Sequence, residues 1–112
     1  MEKYCIERNA LTPEIYENLR AKVSLQYYGR EDVEEALAHT LFSVVIREGQ
    51  VPVGIGRIVG DGRIVFFIKD VVVEPTMQHM VKGRMIMEQL MVYIRQHGCP
   101  TAYAALMELT GK

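Results

Sequence analysis

The chain has 112 residues, 49% of them hydrophobic, with 13 Lys and Arg against 14 Asp and Glu and a formal net charge of −1. That apolar share excludes a disordered chain and suits one domain with a modest core, and the near-neutral balance excludes a general electrostatic footprint for nucleic acid. No apolar run is long enough to span a bilayer, and the start, MEKYCIERN, lacks an apolar leader region, so the expectation is a cytoplasmic protein with no membrane partner.

Tyr4–Arg8 alternates apolar and polar side chains and predicts a first strand. Thr12 and Pro13 then read as an N-cap and first helical residue, with Glu14 in the first turn. Ile15, Leu19, Lys22 and Val23 follow at helical spacing, so this helix is expected to reach about Leu25. Gln26-Tyr27-Tyr28-Gly29 is a break. Aromatic side chains on a loop either form a binding lip or fold back onto the core, which makes Tyr27 and Tyr28 candidate substrate-binding residues. Arg30–His39 predicts a second helix with Val33, Leu37 and Leu41 on its buried stripe. Asp32, Glu34 and Glu35 suit its positively polarised start, and read as a solvated face rather than a trap for a cationic substrate.

From Leu41 the period becomes two. Phe42, Val44 and Ile46 oppose Ser43, Val45 and Arg47; Glu48-Gly49-Gln50 turns the chain; Val51–Val59 returns; Gly60-Asp61-Gly62 turns it again. Ile64–Val73 completes the meander and is nearly all apolar, as a central strand covered on both faces should be. Gly54 and Gly56 share a face that a helix or a substrate approaches closely. Asp70 is the anomaly. Simple alternation puts it on one face with Phe66, Ile68 and Val72, where an unpaired carboxylate is costly. Either a neighbouring loop or Lys69 satisfies it, or it is a general base; the structural role is the expectation.

Pro75 ends that strand, and after Gln78 the period changes again. Ile86, Met87, Leu90, Met91 and Ile94 predict a long helix, closing near His97 with Gly98 as its C′ residue and Pro100 beyond. A loop that opens a helix directs several amide donors and the positive end of the helix dipole at one spot, which suits an anion and most naturally a phosphate. Lys82 and Arg84 sit at that end and oppose the dipole, so helix stability alone does not account for them. Five of the seven methionines fall between Met77 and Met91 and read as a core face. Thr101–Met107 predicts a last strand. Cys5 and Cys99 read as free thiols in or near the core, and His97 as a helix cap. His39, His79 and His97 stand singly, so no metal is expected.

The element order, with Val73-x-Pro75-x-x-Gln78 ahead of a helix, resembles the GNAT superfamily of acetyl-CoA-dependent N-acetyltransferases. Asp70-Val71-Val72-Val73, Pro75, Gln78, Gly83 and the helix from Arg84-Met85-Ile86-Met87 carry the resemblance, which extends from Tyr4 to Met107. It implies a single α/β domain over 1–112, with a mixed, mostly antiparallel sheet in the order β-α-α-β-β-β-α-β and helices on both faces. In such proteins the central strand splays from the last one and the cofactor's pantetheine arm lies in the opening. Backbone groups of Val71 and Val73 would pair with that arm. Gln78 and the backbone N–H groups of His79, Met80, Val81, Lys82, Gly83 and Arg84 would hold the pyrophosphate. The implied reaction is acyl transfer to a primary amine of a small molecule or protein. Asp70 would be the candidate base, a strand N–H at Val72 would stabilise the oxyanion, and an acid would protonate the leaving thiolate.

Two features depart from the family's pattern. Val81 stands where its phosphate loop has glycine, and Lys82 fills a slot that is usually apolar; its charge would offset the crowding. The family also continues past this chain's end with a further helix and strands, which usually carry the tyrosine that protonates the thiolate. Tyr103 is a candidate for that role only by residue type. Two functions are therefore carried forward: an N-acetyltransferase, and a non-catalytic GNAT-like domain acting through CoA binding or self-assembly. An uncovered last strand, free of charged residues between Thr101 and Met107, also predicts a homo-oligomer, most simply a homodimer.

Overall fold

Strand order in space equals strand order in sequence, β1-β2-β3-β4-β5, in a computed structural model that describes residues 4–23, 26–75 and 79–106, with residues 79 and 80 by their backbone alone. The elements are β1 (Tyr4–Arg8), α1 (Pro13–Lys22), α2 (Arg30–Ala38), β2 (Phe42–Glu48), β3 (Val51–Gly60), β4 (Val65–Val73), α3 (His79–His97) and β5 (Tyr103–Leu106). The first four strands pair antiparallel, and β5 joins β4 parallel after the crossover through α3. This is the mixed, mostly antiparallel α/β sheet the sequence predicts. No described helix is long and apolar enough to cross a membrane.

Local chemistry explains the boundaries. Thr12 caps α1, its Oγ1 accepting from the Ile15 N–H at 3.2 Å, with Pro13 at the first helical position. The Asp61 carboxylate accepts the N–H groups of Arg63, Ile64 and Val65 at 2.8–3.0 Å and pins the turn between β3 and β4. Those three donors hold its pKa below the usual carboxylate value. Gly98 plays a different part from the one expected. Its φ is not positive; a Cβ there would meet Ala102, the Ile94 carbonyl and Phe66, each at 3.0 Å, so the position is small because the chain turns tightly against the sheet.

Two cores sandwich the sheet. On one face Ile86, Leu90 and Ile94 of α3 pack on Phe42, Val44, Ile46, Ile58, Phe66 and Ile68. On the other, Tyr16 and Leu19 of α1 and Val33 of α2 pack on Val45, Ile55 and Val72. Leu41 belongs to the first core and not to the stripe of α2. Met85, Met87 and Met91 are partly buried against the α3 core, as a core face requires. The glycine face of β3 receives a helix: a Cβ on Gly56 would lie 2.6 Å from Ile86 Cγ2 and 3.2 Å from Leu90 Cδ1. Gly56→Ala is therefore expected to cost about 1–3 kcal/mol through overpacking, read as a lower urea midpoint at unchanged slope.

Several expectations fail at the level of side chains. Lys22 is exposed and reaches Glu74 at 3.8 Å, while Tyr16 and Arg20 are the buried neighbours of Leu19. Cys5 is a free thiol but is exposed, because its position on β1 turns outward; Cys99 is half-buried. His97 does sit on the last turn of α3, a ring nitrogen 3.0 Å from the Tyr93 carbonyl and its ring stacked on Tyr93. Leu25 and Met107 lie outside the described residues.

Candidate active site

The site is built on an irregularity in β4. Arg57 pairs with Lys69, but Ile55 pairs with Val72, so one extra residue is inserted in β4 opposite Gly56. Asp70 takes φ 56, the left-handed value that aspartate tolerates better than most side chains and that the first residue of one bulge type adopts. The bulge overturns the alternation read from sequence. Phe66 and Ile68 face α3, whereas Asp70 faces α1 with Val72, and Val71 and Val73 return to the α3 side.

Asp70 is satisfied by two arginines from different elements, and neither a loop nor Lys69 supplies the partner. Arg20 of α1 donates to Oδ1 at 2.6 Å and Arg57 of β3 donates to Oδ2 at 2.8 Å, all three side chains being buried. The Tyr16 side chain is buried beside this cluster, its ring 5.0 Å from the Arg20 guanidinium. Its pKa is pushed up to about 12, first by burial and then by the adjacent Asp70 charge. Both carboxylate oxygens are thus held by fixed cations, which argues against Asp70 as the base that takes a proton from a substrate. Among the described residues no buried side-chain polar atom lacks a partner. Arg20 and Tyr16 were not singled out from sequence. The available signal was a cation on the apolar stripe Tyr16-Leu19-Arg20-Val23, set against a lone carboxylate in an apolar strand.

Backbone direction in β4 follows from one bond. The Glu74 N–H donates to the Val53 carbonyl at 2.9 Å, so Glu74 faces β3. Residues of an antiparallel pair alternate between exchanging bonds and facing away. Val72, opposite Ile55, therefore also directs its N–H and C=O at β3, while Val71 and Val73 present theirs to the other edge. The backbone groups of Val71 and Val73 thus face away from β3. Val72 is not placed to donate to an oxyanion, because its N–H belongs to the ladder with β3. Along that outer edge the described pairing with β5 runs from Val65↔Tyr103 to Ile68↔Leu106 and stops short of the bulge. Tyr103 is far from this region: roughly 20 Å of strand separates its partner Val65 from Val71.

β4 ends at Val73 and α3 begins at His79, with five residues between them in sequence. Gln78 is outside the described residues. His79, Met80 and Val81 open the turn whose amides fall outside the helix's own ladder; from Lys82 on, with Gly83 and Arg84, N–H groups lie where they bond back to carbonyls four residues earlier. Val81 is half exposed at that turn and Arg84 is exposed. The Lys82 side chain goes the other way. It is 1% exposed, with its ammonium 5.6 Å from the centre of the Tyr4 ring, so it does not bring charge to an anion at the helix start.

On the opposite face, Tyr16, Glu17, Arg20, Gln26, Tyr27 and Tyr28 line a cavity of about 110 Å³ between α1 and α2. Tyr27 is 82% exposed, whereas Tyr28 folds back until its ring lies 5.2 Å from the Arg20 guanidinium. The acidic residues Asp32, Glu34 and Glu35 are all solvated. Among the described residues no three His, Cys, Asp or Glu side chains gather as metal ligands would.

The model of the acetyltransferase (GNAT) family matches residues 8–109. A probable acetyltransferase from meticillin-resistant Staphylococcus aureus superposes with a TM-score of 0.86 at 31% identity, over 95% of this chain and 80% of that one. A GNAT-family acetyltransferase from Streptococcus pneumoniae gives 0.77 at 25% identity, over 96% and 78%. At 17% identity an aminoglycoside N-acetyltransferase in complex with CoA shares the fold, with a TM-score of 0.69 over 95% and 77%. Comparison with curated protein sequences gives no match. With the family model spanning most of its length and the bulged β4 leading into α3, this chain belongs to the acetyltransferase (GNAT) family.

Proposed function

We propose that the chain binds acetyl-CoA and transfers its acetyl group to a primary amine. The carrying observation is the outward-facing backbone of Val71 and Val73 on the strand that leads, across five residues, into α3. A strand edge suits an arm that contains amides, and a helix start suits a pyrophosphate. A similar fold in complex with CoA supports the same reading. In this reading the arm pairs with Val71 and Val73. The phosphates lie on the amides from His79 to Val81, and the thioester carbonyl lies near the bulge. The amine approaches from the α1–α2 side past Tyr27 and Tyr28 and attacks as the neutral base. Nitrogen forms a bond to the carbonyl carbon, the C–S bond breaks, and the thiolate takes up a proton. A primary amine must lose its proton before it attacks, so turnover should rise with pH until the acceptor is neutral.

Acetyl-CoA at ten times its dissociation constant should stabilise the protein by about 1.4 kcal/mol. A scanning melt reads this, and an unmoved melting temperature at millimolar acetyl-CoA defeats the binding reading. Val81→Gly should tighten CoA binding by roughly tenfold if it gains one close phosphate contact. Weaker or equal affinity by calorimetric titration rejects the crowding argument. Turnover is tested with tyramine, spermidine and a peptide amino terminus as amines.

One observation favours the second reading, a domain that binds CoA without catalysis: the only carboxylate in the central strand is fully engaged by arginines. Binding without acetyl transfer to any of the three amines would select it. Cytoplasmic location remains part of the proposal, as does self-association through β5. That strand is the last in the described sheet, and its Tyr103 and Leu106 are exposed. Light scattering at micromolar concentration tests the assembly; a mass near 12.8 kDa rejects it.

A further inference from the structure

The guanidinium of Arg20 has two tasks. One terminal nitrogen donates to Asp70 Oδ1 at 2.6 Å, and the other donates to the Gln26 carbonyl at 2.8 Å. The ring of Tyr28 lies 5.2 Å from its centre on one side and the ring of Tyr16 5.0 Å away. One buried cation thus joins the bulge of β4 to the loop that carries Tyr27 and Tyr28. Arg57 is its counterpart without that loop: it donates to Asp70 Oδ2 and to Thr40 Oγ1 at 3.0 Å. Both arginines are buried to a similar degree and hold the same carboxylate.

We propose that Arg20 is a positioning residue, anchoring the Gln26–Tyr28 lip to the β4 bulge so that the acceptor amine meets the strand that presents the thioester. This inference rests on the acetyl-transfer reading for its consequence, though not for the anchor itself. A planar fork reaches a carboxylate and a carbonyl at fixed angles, and an ammonium keeps the charge but not the fork. A loop held at one end by a charged hydrogen bond to its backbone loses its place when that bond goes, while the strand beneath retains its second arginine.

The test compares Arg20→Lys with Arg57→Lys. Each weakens one arm of the same cluster, so a merely structural role predicts the same behaviour from both. The anchor predicts that amide exchange over residues 26–29 speeds up roughly tenfold in Arg20→Lys, the equivalent of one lost hydrogen bond, and stays at the parent rate in Arg57→Lys. With whichever of tyramine, spermidine or peptide the parent acetylates, the acceptor KM rises about tenfold in Arg20→Lys alone, while the KM for acetyl-CoA is unchanged. Equal exchange in the two variants overturns the proposal. Faster exchange with an unchanged acceptor KM overturns the positioning role and leaves only an anchor. If Arg20→Lys does not fold, Tyr28→Leu replaces it; removing the ring beside the guanidinium should also speed exchange of the lip, and an unchanged rate overturns the proposal. A parent that acetylates none of the amines defeats the proposed function and with it the acceptor half of the inference, while the exchange rates still decide the anchor.

Discussion

Asp70→Ala is expected to lower unfolding stability by roughly 3–5 kcal/mol, the range for removing one partner of a buried ion pair. Two arginines that share this carboxylate, Arg20 and Arg57, would be left facing each other in a desolvated layer. Attraction would become repulsion between like charges. Alanine is also poorly suited to the left-handed backbone at this position, which adds to the loss. Asp70→Asn separates the terms, since it keeps the shape and the tolerance of positive φ and removes only the charge. It should fall between parent and alanine variant in urea unfolding. A parental midpoint for Asp70→Ala would contradict the cluster's role, and loss of acetyl transfer at full stability would restore Asp70 as a base.

Alkaline pH should expose the same cluster through Tyr16. Its hydroxyl ionises at about 12 in the folded protein against an ordinary value of 10.0, because burial and then Asp70 disfavour the phenolate. The unfolded chain releases this proton first. Between those two values the unfolded state therefore binds fewer protons, and stability falls as pH rises. The contribution is fully present below pH 10 and is lost through about pH 12, a decline of roughly 2–3 kcal/mol. Tyr16→Phe has no hydroxyl to ionise and removes this slope, so the difference between parent and variant isolates it from the other tyrosines. A flat difference between pH 10 and 12 would contradict the burial of that hydroxyl.

The periodic parts of this fold were legible because period and face agree there. Leu19, Val33, Ile86, Leu90 and Ile94 were read as core from helical spacing, and they are. Thr12 and Pro13 gave the start of α1 through chemistry that acts within one turn. The failures cluster where a side chain's fate depends on a distant element. Arg20 reads as an exposed helix cation until Asp70, fifty residues later, is known to lie beneath it. Lys82 read as a phosphate ligand because charge usually seeks the surface, but its ammonium lies over the ring of Tyr4, on the edge strand β1 at the same face of the sheet. Val72 was given the oxyanion for its position in the motif. Which edge its amide faces depends on the ladder with β3, which no local pattern encodes. The start of α3 was legible within one residue of Gln78, because the change of hydrophobic period there is local.

The extra residue of β4 has a further consequence for how this hairpin tolerates changes in length. Lys69 and Val72 already sit in line with Arg57 and Ile55, so excising Asp70 would close the gap into an unbroken ladder with Val71 opposite Gly56. Every other side chain of β4 would keep its face. Elsewhere in the strand, a deletion of one residue sends all that follows to the wrong side. The bulge is thus a place in β4 where a residue can be lost without turning the rest of the strand over. What resists the loss is charge: without Asp70, the Arg20 and Arg57 guanidiniums would lose the carboxylate they share.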